Sequence, residues 1–169
     1  VPRNLGKKGV GMIAMDGIYR RSRDPVSYAI GVILIHFVIS VVHGLAHSHL
    51  GISLSGTQQV FVAVVITAAP LMAGYLLWRS RLRAGGALLA ASMAGAFIFG
   101  VYYHFITPGG DNVNRAYTLG SGNWQNLFEE TAIEIAGLEI VGAMLGLVLV
   151  LRSYMKRRGA SPAVANREI

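Results

Sequence analysis

Four apolar runs of helical membrane-spanning length leave this chain few folds to choose from. They are SYAIGVILIHFVISVVHGLAH over 27–47, QQVFVAVVITAAPLMAGYLLW over 58–78, AGGALLAASMAGAFIFGVYYHFI over 84–106 and ETAIEIAGLEIVGAMLGLVLVL over 130–151. Each has the ~20 residues that cross ~30 Å of hydrocarbon as a helix. Four such runs in 169 residues leave almost no polar shell for a soluble fold. Charged residues make up only 14%, against ~25% in an average soluble domain. The expectation is therefore all-α: an integral membrane four-helix bundle.

The basic residues set an orientation. Six Lys or Arg precede the first run, none lies in the first loop, three lie in the second (Arg79, Arg81, Arg83), one in the third (Arg115), and five follow the fourth run. Positive charge stays on the cytoplasmic side, so both termini and the second loop are expected there. The chain then reads as a basic cytoplasmic segment over 1–26, a transmembrane domain over 27–151 and a basic cytoplasmic tail over 152–169, multi-pass in a cell inner (cytoplasmic) membrane. Residues 10–19 have the character of a short interfacial helix or a flexible tail. The first run is too long and its flanks too basic for a cleaved leader. The net charge of +7 is placed to meet anionic lipid rather than nucleic acid. Small size and the lack of a soluble catalytic domain point to a protein partner or a homo-oligomer within the membrane.

Small residues mark helix contacts. Gly142 and Gly146 form a GxxxG pair in the fourth run, and Ala87, Ala91 and Gly95 form a stripe in the third. Pro70 is expected to kink the second run. The loop over 107–129 is the longest polar segment. It has the length of a lid, a partner contact or cover for a site, with Trp124 and Phe128 expected at the outer interface.

Function is sought among ionisable groups inside the spans, which are costly in lipid. His36, His43 and His47 fall within ~40° of one another around the first helix, at ~14, ~24 and ~30 Å from its inner end. His104 lies ~30 Å up the third helix. Glu130 and Glu134 share one face at the outer end of the fourth, and Glu139 lies ~14 Å below that end, at the depth of His36. His43, His47, His104, Glu134 and Glu130 thus share a depth and come from three helices, which is the donor set of a transition-metal site for copper, iron or zinc. The chain has no cysteine, so thiolate sites are excluded. His36, Glu139 and His49 are secondary candidates, for ligation or proton relay.

Two other readings stay open. His43 or His47 with His104 satisfies the axial requirement of haem b in an electron-transfer subunit, and one of these histidines alone would ligate another tetrapyrrole. A His/Glu hydrogen-bonded network in a non-catalytic assembly or proton-relay subunit needs no cofactor. The residue types are similar to those of membrane oxidases and desaturases with several histidine boxes, but the spacing is not theirs. The metal reading implies a small redox enzyme or an accessory subunit of a larger membrane complex.

Overall fold

The computed structural model describes residues 25–116 and 122–159. Helix α1 is Pro25–His49, α2 is Gly56–Trp78 and α3 is Leu82–Ile106. A short helix α4, Val113–Ala116, precedes the long α5, Asn123–Gly159. No strand occurs among the described residues. The four long helices have span hydropathies of 2.3, 2.3, 1.8 and 2.1, and all are long and apolar enough to cross a membrane. Their outer faces carry large exposed apolar side chains, among them Val38, Val60, Ile98 and Met144, as lipid-facing helices do. Segment 10–19 and the tail beyond 159 lie outside the described residues.

The first three spans run one or two residues beyond their sequence-based limits at most ends. The fourth differs more. Its helix begins at Asn123 rather than Glu130, so the last part of the expected loop is helical. Nothing after Gly122 breaks a helix: 123–129 contains neither glycine nor proline. Phe128 is consequently not an interfacial residue. It is fully buried, on the inward face of α5.

Glycines set the α3–α5 contact. A Cβ on Gly146 would lie 2.5 Å from the Ala90 amide nitrogen and 2.7 Å from the Gly86 carbonyl oxygen. Gly142 instead packs under the Met93 side chain. Within the GxxxG pair it is thus Gly146 that brings two backbones together, against Gly86 and Ala90 of α3. Ala87 and Ala91, expected to form the contact stripe, are exposed. Beside this contact lies an apolar core of Ala29, Ile33, Ala73, Leu77, Leu89, Met93 and Leu149. It fills the half of the bundle nearest the tight 79–81 turn. Arg83 lies over the Tyr154 ring at 4.7 Å, tying the start of α3 to the end of α5.

α2 is not a uniform helix. It opens with a capping box, in which Gln58 N–H donates to Ser55 Oγ and Ser55 N–H donates to Gln58 Oε1. Val62–Ala68 is then π-helical, and α-helix resumes with Pro70 in its first turn. Proline has no N–H to donate and clashes with the preceding turn, and the wide π turn just before it takes up that misfit. α1 packs on the Ala69–Trp78 part of α2, whereas Val62–Ala68 packs on α3. The two helices thus diverge toward the end of the bundle that carries 50–55. That end holds a second apolar cluster of Ala46, Leu50, Ile52, Val113, Ala116 and Phe128.

Candidate metal centre

The buried face of α1 carries Ala29, Ile33, His36, His43 and Ala46. The histidine stripe expected from helical periodicity is therefore the stripe that faces into the bundle. His43, His47 and His104 meet in the polar half. One ligand atom from each lies within 4.8 Å of the other two. His43 and His104 are buried, and the His47 side chain is 12% exposed. His104 sits in a π-helical turn, Tyr102–Ile106, that ends α3. Such turns recur at functional sites.

Phe128 is the hub on which the rings are arranged. Its centroid is 4.8 Å from that of His43, stacked, 5.0 Å from His47 and 5.4 Å from His104. Polar atoms of all four side chains, the three imidazoles and Asp111, converge beside it. His43 Nε2 and His47 Nε2 are 3.1 Å apart. Asp111 Oδ1 lies 3.2 Å from His47 Nε2 and 3.3 Å from His104 Nδ1. Ligands bound tetrahedrally at ~2.0–2.1 Å lie ~3.3 Å from each other, so the His43–His47 and His47–Asp111 separations are those of a first coordination shell.

Hydrogen bonds outside the group fix two of the rings. Thr131 Oγ donates its proton to the Leu127 carbonyl at 2.5 Å and can then only accept from His43 Nδ1, at 2.8 Å. His43 is thereby held as the Nδ1–H tautomer with Nε2 bare, an assignment made from the partners. His104 Nδ1–H donates to the Asp111 carbonyl at 2.9 Å, which leaves its Nε2 lone pair free. These are the outer contacts that orient metal-binding imidazoles. Without an ion, His47 Nε2–H donates to the bare His43 Nε2, and His47 Nδ1 is buried with no partner. Asp111 Oδ1 is likewise buried without a hydrogen bond.

The two glutamates expected to complete the shell are not there. Glu130 and Glu134 are both exposed. They do share a face of α5, as their i,i+4 spacing requires, but it is the face opposite Phe128 and Glu139. Thr131 and Glu139 are buried on the inward side. Glu139 pairs with His36, Oε1 to Nε2 at 3.4 Å, the partnership that their common depth suggests. His49 continues α1 but points away from the group and stacks on Trp124, centroids 3.8 Å apart. Asp111 is the residue that sequence reading missed. It lies in a turn beyond α3, where helical periodicity carries no information, and its only signal was being the one acidic residue between the third span and Glu129.

A cavity of about 360 Å³ adjoins the group. It reaches from His43, His47, His104 and Asp111 at one pole to Glu139 at the other. Val62, Ile66 and Phe99 line it from α2 and α3, and Gly44, Gly100 and Ala136 leave space for it. Glu139 Oε2 and His104 Cδ2 lie 3.9 and 4.0 Å from where a Cβ on Gly100 would stand. Any larger side chain at that position would enter the cavity between its two poles.

No protein-family model, curated protein or solved structure matches this chain.

Proposed function

We propose that this chain is a multi-pass membrane protein that holds one first-row transition-metal ion on His43, His47 and His104, with Asp111 as the fourth ligand. The observation that carries this is the convergence of three buried imidazoles from two helices within 4.8 Å. Three imidazoles with one carboxylate suit zinc, iron or copper. The ion would relieve the orphaned Asp111 Oδ1 by ligation. The adjoining cavity borders the group, so a small molecule would reach the ion by displacing Asp111 or by expanding its shell from four ligands to five. The protein then acts as a small redox enzyme or as the metal-bearing subunit of a larger membrane complex. The distribution of Lys and Arg supports an outer-face position for the metal end.

Haem is a weaker reading. Two imidazoles on opposite sides of an iron, each bonded at ~2.0 Å as to zinc, have ring centroids ~6 Å apart or more. The His43 and His104 centroids are 4.9 Å apart, too close to admit a porphyrin plane, and of the two axial pairs only His47 with His104, at 5.9 Å and with rings tilted by 59°, keeps that spacing. The network reading draws on the His47–His43–Thr131 chain of hydrogen bonds, which exists without any ion.

Elemental analysis with an absorption spectrum of mildly solubilised protein separates the three. One metal ion per chain, lost in both His43→Ala and His104→Ala, is the expected result. A Soret band would replace the metal reading with haem. A protein with neither, unchanged on titration with zinc, iron and copper, would leave only the network.

A further inference from the structure

Two polar atoms in the cavity wall, besides those of His47 and Asp111, have no partner. Glu139 is 1% exposed, and its Oε2 makes no hydrogen bond while Oε1 is taken by His36. Ser40 Oγ is also buried and unpaired. Ser40 stands one helical turn beyond His36 on α1, on the same cavity as Glu139. Leaving such groups unsatisfied in a low-dielectric interior is expensive, and each such orphan in a native protein calls for an occupant.

The walls show how an occupant arrives. Ser40, Gly44 and Ser48 of α1 face Gln59, Val62 and Ile66 of α2 across the cavity, at the level where the two helices diverge. The Ala29–Leu149 core closes the cavity at the end away from the histidines. Exposed Ser53 and Gln59 belong to the cavity wall where α1 and α2 part, so the way in lies there, at the loop end.

We propose that the cavity binds a small, membrane-partitioned alcohol or phenol, whose hydroxyl donates to Glu139 Oε2 and accepts from Ser40 Oγ. A hydroxyl is the simplest group that serves as donor and acceptor together. The apolar walls take its hydrocarbon body. The volume is at the small end of the ~300–1,000 Å³ range of ligand sites, which fits a single ring or a short chain and not a lipid. The inference rests on the metal reading for what becomes of the ligand, but on Glu139 and Ser40 for its binding.

Fluorine NMR on protein in nanodiscs tests it, with 4-fluorobenzyl alcohol against 4-fluorotoluene, each with and without a chelator. The expected result is saturable binding of one alcohol per chain, about tenfold or more tighter than the toluene. Ser40→Ala should narrow that preference. The double variant His36→Leu/Glu139→Leu, which leaves neither partner of the pair alone, should abolish it. Gly100→Ala should weaken both probes. Equal affinity of wild type for the two probes, or an alcohol preference that survives the double variant, overturns the proposal. A preference that persists in chelated protein while no metal ever binds sinks the metal reading alone.

Discussion

Thr131 accepts a hydrogen bond from His43 Nδ1 at 2.8 Å and spends its own proton on a backbone carbonyl one turn back in α5. A single hydroxyl thus decides which nitrogen of His43 faces the other histidines. Thr131→Val keeps the shape and removes the acceptor. We expect it to bind metal about 10–100-fold more weakly with the fold intact, whereas Thr131→Ser should bind as wild type does. Competition titration against a chromogenic chelator measures both. Equal affinity for all three proteins would mean that Thr131 does not orient the ring.

Asp111 and the two outer glutamates make opposite predictions. Asp111→Asn removes the charge that stands 3.2 and 3.3 Å from two histidine nitrogens. Its metal affinity should fall at least tenfold. Glu130→Gln and Glu134→Gln alter exposed positions and should keep full metal content. Elemental analysis after gel filtration distinguishes them, and loss of metal in Glu134→Gln would return that residue to the site.

These positions show how much of the site was legible in the sequence. The stripe His36, His43, His47 was readable because helical phase depends on spacing alone. Depth was readable as well, which is why His104 and the His36–Glu139 pair could be placed. What periodicity does not supply is an absolute zero for the fourth helix. Glu134 and Glu139 lie ~140° apart around it, so only one of them can face inward, and spacing between the two is silent on which. The buried side is chosen by Phe128, Thr131, Ala132 and Glu139 together. Phe128 was hidden by the assumption that the helix began after it. Asp111 lay beyond any periodic argument, because a turn positions it.

The His36–Glu139 pair should behave as a buried ion-pair partnership does. Both side chains are almost wholly buried, at 2% and 1% exposure. His36→Leu alone leaves a carboxyl group without its partner and should destabilise the bundle by about 3–5 kcal/mol. Adding Glu139→Leu should recover most of that loss. Denaturant unfolding in mixed micelles gives the comparison. Additive losses in the double variant would show that the two side chains do not depend on each other.

Close backbone approach makes Gly146 the most sensitive small residue of α5. Gly146→Val must move the Ala90 and Gly86 backbone, which cannot yield as a side chain can, and we expect a cost of about 1–3 kcal/mol or more. Gly137→Ala is the control, since nothing lies within 4 Å of its Cβ position. It should leave thermal stability unchanged or slightly raised. Equal melting points for the two variants would contradict the packing.

Orientation is open to a clean labelling experiment because the chain has no cysteine. Ser53→Cys lies in the first loop and Ser80→Cys in the second. With an impermeant maleimide on intact cells, the first should label and the second only after lysis. The reverse pattern would place the histidine end inside.

The two apolar clusters at opposite ends of the bundle also determine what the protein does not do to its membrane. Ala29, Ile33, Leu77, Leu89 and Leu149 form a dry stopper beneath the cavity, each 2% exposed or less. The buried polar groups from Ser40 and Glu139 to the histidines therefore end blindly rather than continuing to the far side. Chemistry at the site can draw its protons and ligands from the lipid or from one aqueous face without short-circuiting an ion gradient held across the bilayer.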